Sequence, residues 1–165
     1  MILPASVLIA CASPDDDTAA SADEVDDVAE APAPPAVPPC DWITEARASE
    51  LLGAPVQYVS ERDAATCELG VPDGDGMGPD VTIEAMDPST ADYDYVASVE
   101  AAEPVDGVGD RAVWVPMGEA MGTVYAETGG RVLQVMLTDI SATSGPAGGL
   151  REKAVAVARA VVAEM

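Results

Sequence analysis

The residues whose types and spacing carry chemistry are few, and the first is Cys11. Leu8-Ile9-Ala10-Cys11 sets a thiol at the end of a short apolar run. That is the pattern of a bacterial lipobox, in which the thiol receives a diacylglycerol and the peptide ahead of it is cleaved off. The chain holds three cysteines, Cys11, Cys40 and Cys67, and an odd count in an exported protein asks for an explanation. Acylation of Cys11 supplies one and leaves Cys40 and Cys67 free to pair across a loop of 28 residues, counted inclusively; two separate buried thiols are the alternative. A disulfide would persist only outside a reducing cytoplasm, the side of the membrane on which an acylated Cys11 would hold the chain.

Other chemistries find little to work with. There is no histidine, which removes the commonest general base and the commonest zinc ligand. The single lysine, Lys153, falls among the charged residues of a helical pattern and reads as surface. Asp73-Gly-Asp75-Gly-Met77-Gly78 through Glu84 partly fits a twelve-residue calcium loop, with oxygens at positions one and three, glycine at six and glutamate at twelve. Met77 at position five cannot ligate calcium, and the flanks read as strands. No metal is therefore assigned, and Asp73, Asp75, Asp80 and Glu84 stand only as a weak calcium set.

Gly107-Val-Gly109-Asp110 lacks the third glycine, the lysine and the following helix of a phosphate loop, so it reads as a tight turn. Gly145-Pro-Ala-Gly148-Gly149 precedes a helix start whose amides suit an anion, but the surrounding acidity opposes one. Ser141 and Ser144 have neither an activating base nor a nucleophile elbow. Trp42 and Trp114 read as core anchors rather than pocket walls. No catalytic residue and no cofactor is assigned, and the expectation is a protein that is not an enzyme.

The elements that must position these residues fall into three segments. Residues 1–11 are shorter than a complete signal peptide and lack a basic n-region, so the true start is expected upstream; the segment is too short for a transmembrane helix. Residues 12–39 are mostly Ala, Pro, Asp and Glu. Their unanswered charges and lack of bulk predict a disordered linker, ending in an extended polyproline stretch over 31–39. Residues 40–165 are expected to form one domain. The formal charge of −23, from 30 acidic and 7 basic residues, repels phosphate backbones and excludes nucleic acid as a partner. Hydrophobic residues make up 48% of the chain with no Phe, so the core is expected to be built of small branched side chains.

Within 40–165, Thr44 caps a helix over 45–52 that Gly53 and Pro55 end. Strands are expected over 56–59, 66–71 and 81–85, with the loop 72–79 between the last two. Asp87-Pro88 opens a second helix running to about Ala102, and 103–110 reads as a turn-rich approach to a strand over 112–115. Segments 122–127 and 131–137 form a hairpin about Gly129-Gly130. Parity sets Val124 opposite Val135 and Ala126 opposite Leu133, with Leu137 on the same face and Thr123, Glu127 and Gln134 on the other. Leu150, Ala154, Val157, Ala158, Val161 and Met165 repeat at helical spacing, with Arg151, Lys153 and Arg159 on the wet face. The expected fold class is α+β, an antiparallel sheet with helices packed on one face.

These residues also carry a resemblance. A cysteine before a helix ending Glu50-Leu51-Leu52-Gly53, a second cysteine on a strand, Val105-Asp-Gly107-Val-Gly109-Asp110-Arg-Ala-Val-Trp114, the hairpin from Val124-Tyr125 through Gly130-Arg131-Val132-Leu133, and an Ala/Val-rich last helix occur in that order. The domain resembles a group of small actinobacterial cell-envelope lipoproteins of unassigned function. The resemblance implies a lipid-anchored extracytoplasmic module with Cys40 and Cys67 paired, and it brings no active site. The expected function is a binding or scaffolding module on the outer face of the cell membrane, attached to it through Cys11, with an envelope protein or a small apolar ligand as partner. A small-ligand or lipid-binding module with an apolar pocket is the alternative, and a hydrolase the third.

Overall fold

Alternating apolar and polar residues dominate the chain after residue 56, and the fold spends them on strands. The computed structural model describes residues 38–63, 65–72, 78–87, 92–140 and 148–165, within the unit Pro35–Met165. Cys11, most of the linker, Asp73, Asp75, Pro88, Ser141 and Ser144 lie outside the described residues. The strands are β1 (Gln57–Asp63), β2 (Thr66–Gly70), β3 (Pro79–Met86), β4 (Glu103–Val105), β5 (Arg111–Pro116), β6 (Met121–Thr128) and β7 (Arg131–Asp139). They form one antiparallel sheet in the order β1-β2-β3-β7-β6-β5-β4. The helices are α1 (Glu45–Leu52), α2 (Tyr93–Ala97) and α3 (Gly148–Val162), preceded by a 3-10 turn at Pro39–Asp41. Both sheet edges are poor templates for further pairing: β1 carries register shifts and β4 is three residues long with Pro104 in its middle.

The core lies on one face. Cross-strand rows run Leu69–Val81–Leu137–Gly122 and Cys67–Ile83–Val135–Val124–Trp114. Over them α3 lays Leu150, Ala154, Val157, Ala158 and Val161, and α1 adds Ala48 and Leu52. Each buried Leu or Val contributes about 1.5–3 kcal/mol, and the lack of large residues is offset by the close approach that Ala and Gly permit. Gly122 shows this directly: the Trp114 indole lies where any Cβ at that position would stand. Trp42 and Trp114 are both buried in this cluster, as core anchors.

Several local expectations hold. The Thr44 Oγ1 accepts the Arg47 N–H at 3.2 Å to start α1, and Gly53 ends it. Val124 pairs with Val135 and Ala126 with Leu133 across the Gly129-Gly130 turn, whose two residues both have positive φ, 54° and 74°. The turn at Gly107–Asp110 is a structural clamp. The Glu127 carbonyl packs against Gly109 so closely that a Cβ there would collide, and it accepts the Asp110 N–H at 2.8 Å. The Asp110 carboxylate in turn accepts the Gly129 N–H at 3.2 Å.

Other expectations need correction. The second helix does not run from Asp87 to Ala102: α2 is five residues, capped by Asp92, whose carboxylate accepts the Tyr95 N–H at 3.0 Å. The start is fixed by Asp92 itself, which is extended at φ −84° and ψ 95° and caps the helix at Tyr93. At its other end α2 stops at Ala97, and β4, a strand hidden in the turn-rich approach, begins at Glu103 by pairing with Trp114. While α1 and α3 share one face as expected, α2 sits on the opposite one, with Tyr93 packed on Val113 and Val132. The Pro39 ring is already buried in the 3-10 turn, so the fold begins inside the segment read as linker. Met165 falls beyond α3 and is exposed.

The basic residues of α3 do lie on its solvent-accessible face, Arg159 exposed and Arg151 and Lys153 partly so, and each also reaches across to a neighbouring element. Arg159 donates to the carbonyls of Asp106 (2.7 Å) and Gly107 (3.2 Å), and Arg151 donates to the Pro104 carbonyl at 3.1 Å. Lys153 reaches Asp139 at 3.1 Å. They stitch the last helix to β4, the following turn and the end of β7.

Candidate binding site

The sheet face opposite the core is where the fold leaves side chains available. Its rows run Thr66–Glu84–Gln134–Tyr125–Val113 and Glu68–Thr82–Met136–Thr123–Val115, read across the strands. Only α2 crosses this face among the described residues, and it does so at one corner, because the Tyr93 ring buries itself against Val113 and Val132. Between α2 and the uncovered strands lies a pocket of about 280 Å³.

Its floor is Gln134 and Tyr125, which are direct partners in the β6–β7 register, beside the Met86–Val132 pair of β3 and β7. The α2 segment supplies the wall: Tyr93, Tyr95, Val96 and the capping Asp92. Three of the chain's four tyrosines therefore converge on one small space. Glu84 stands next in the floor row, across from Gln134. Tyr93 is 6% exposed and fixed, whereas Tyr95 is 70% exposed and stands at the open side.

The electrostatics of this corner are set by carboxylates and one engaged cation. Burial pushes the Tyr125 phenol above its ordinary value, the Glu84 carboxylate pushes it further, and a hydrogen bond from Thr123 works the other way. Burial also raises Tyr93, offset in part by Arg111. The Arg111 guanidinium lies 4.3 Å from the centroid of the Tyr93 ring and is held by Asp94 and Glu127, each at 2.6 Å. The floor offers an amide and a phenol as hydrogen-bonding groups, the walls offer aromatic faces and methyls, and negative charge stands on two sides.

A second groove of about 460 Å³ lies by the start of α1 and the end of α3, lined by Trp42, Ile43, Ala160 and Ala163 with Asp41, Arg47 and Glu164 among its other residues. Trp42 is only 4% exposed, and the small alanines offer little to grip.

Cys40 and Cys67 are joined in a disulfide with their Cα atoms 5.0 Å apart. Cys67 projects from β2 into the core row, and Cys40 sits in the 3-10 turn before α1, so the bond ties the domain's first turn to the sheet. Tyr58 reinforces the same joint: its hydroxyl donates to the carbonyls of Cys40 (3.0 Å) and Ile43 (2.7 Å), and its own N–H donates to the Glu45 carboxylate at 2.7 Å. Of the weak calcium set, Asp80 and Glu84 fall in β3, four residues apart on one face, which separates them by about 13 Å at strand rise. Among the described residues no group of three or more Cys, Asp or Glu gathers as a metal site.

The pocket has no local signature in the sequence. The hairpin parity put Gln134 on its face correctly, and the clustering of tyrosines at 93, 95 and 125 was a signal. Only the placement of α2 on the second face could convert it into a site. The chain matches no protein-family model, no curated protein and no solved structure.

Proposed function

We propose that the protein is a lipid-anchored binding module on the extracytoplasmic face of a bacterial cell membrane, tethered through Cys11. The observation that carries this reading is the disulfide. It uses Cys40 and Cys67, it belongs to an oxidising compartment, and it leaves Cys11, at the end of an apolar run, as the odd thiol for acylation. The acidic, proline-rich residues between Cys11 and the domain suit a spacer that holds a folded unit off a surface. The resemblance to actinobacterial envelope lipoproteins points the same way. The pocket beneath α2 favours small-molecule capture over scaffolding, because aromatic rings, methyls and a few polar side chains line one concave space, although its volume of about 280 Å³ suits only a small molecule.

The test is detergent phase partition. Expressed in a bacterial host behind a basic leader, wild-type protein enters the detergent phase and Cys11→Ala stays in the aqueous phase. A diacylglycerol with an N-acyl chain anchors far more firmly than one chain, at about 0.8 kcal/mol per buried CH₂. Equal aqueous partition of both proteins overturns the anchor.

A further inference from the structure

We infer that the pocket beneath α2 takes a small organic ammonium ion, an amine or quaternary nitrogen carrying apolar substituents. The inference rests on the small-molecule reading of that pocket and names its ligand class. Tyr95 from α2 and Tyr125 from β6 supply the contact, while Tyr93, 6% exposed and already under the Arg111 guanidinium, closes the wall behind them. An aromatic face is the negative end of a quadrupole and attracts a cation centred within about 6 Å of it.

Carboxylates surround the rings. Asp92 lines the pocket, and Glu84 stands beside its floor close enough to raise the Tyr125 phenol. The chain's charge of −23 raises the local concentration of any cation. The same corner already holds one such arrangement, with the Arg111 guanidinium 4.3 Å from the Tyr93 ring and clasped by Asp94 and Glu127.

The remaining lining selects among cations. Met86, Val96 and Val132 are apolar, so a bare metal ion would lose hydration against them without gaining ligands, whereas methyl or methylene groups on nitrogen gain contact. The Gln134 amide and the Tyr125 hydroxyl are placed to hydrogen-bond a polar substituent carried by the same molecule. An anion would meet Asp92 and Glu84, and an uncharged apolar ligand would leave the ring faces and carboxylates unused.

The experiment is calorimetric titration of the full-length oxidised protein with choline and with its neutral isostere, in which carbon replaces the quaternary nitrogen. Choline binds saturably and the isostere binds roughly tenfold more weakly. Tyr95→Ala loses roughly fivefold or more of the choline affinity; because Tyr95 is 70% exposed, the variant keeps the wild-type unfolding midpoint. Equal binding of choline and isostere leaves the pocket standing and defeats the cation. Absence of binding by either defeats both the cation and the small-molecule reading. Preferential choline binding that Tyr95→Ala leaves unchanged places the cation elsewhere on the acidic surface and overturns the assignment to this pocket.

Discussion

Lys153 shows how far a single residue's role can depend on a partner the local pattern does not reveal. Its ammonium lies 3.1 Å from Asp139, and the Asp139 side chain is 2% exposed against 33% for Lys153. Charge at a helical position off the apolar stripe reads as solvated, since the stripe says nothing about the end of β7, 14 residues away in sequence. Once Asp139 is buried, the pair becomes part of the packing. Lys153→Ala removes the cation that faces a buried carboxylate and should cost about 1–3 kcal/mol. Urea unfolding measures it, and a change within about 0.3 kcal/mol would mean that Asp139 does not depend on this lysine. Arg159 belongs to the same lesson. Its guanidinium serves two carbonyls of the turn at 106–107, and carbonyls leave no mark in a charge pattern.

At the scale of elements, what was legible is what local chemistry determines. The start of α1 is written in Thr44 and its end in Gly53, and the β6–β7 hairpin in Gly129-Gly130 with alternation on either side; these hold nearly residue for residue. What was not legible needed a partner. Among these, β4 is three residues long and exists because β5 offers an edge. The limits of α2 are set by its Asp92 and Ser98 caps, and its face by the burial of one ring. The candidate site was illegible for that reason, since it is the space left where a short helix docks on the second face of a sheet.

The disulfide belongs to both groups, legible in the count of cysteines and completed by a distant partner. It was expected from cysteine parity, and it fastens an N-terminal turn to a central core row. Replacing both cysteines by alanine should cost about 3.6 kcal/mol in the chain-entropy model for its loop. Part of that loss should appear as early fraying of α1, because only the Tyr58 hydrogen bonds and the burial of Trp42 and Ile43 would then hold the turn. Thermal unfolding together with hydrogen exchange over 39–52 checks both. Unchanged stability with unchanged exchange would show that the bond adds nothing to the fold.

Across the whole molecule, charge is organised by scarcity of cations. Of 7 basic residues, Arg47 and Arg111 are held in ion pairs and the three on α3 fasten that helix. Acidic side chains therefore dominate what faces solvent, an environment that draws cations and repels polyanions. Three phenols tie stability to pH at the alkaline end. Burial raises the phenols of Tyr58, Tyr93 and Tyr125 above the ordinary value of 10.0. Below pH 10 the folded and unfolded chains hold these protons equally; above it the unfolded chain releases them first. Stability from these groups is therefore full below pH 10 and lost as pH rises through the folded values. Urea midpoints should be level for these groups from about pH 8 to 10 and fall beyond, and a midpoint that rises past pH 10 would contradict the shared direction of the three shifts.

The central claim is that one chain is anchored through Cys11 and folded with Cys40 bonded to Cys67 in an oxidising compartment. Intact mass measurement of protein extracted from the membranes of a bacterial host tests it most directly. The account predicts a chain beginning at Cys11, heavier by a diacylglyceryl group with or without an N-acyl chain, and lighter by two hydrogens for the Cys40–Cys67 bond. A chain that keeps residues 1–10, carries no lipid mass and titrates three free thiols would contradict it.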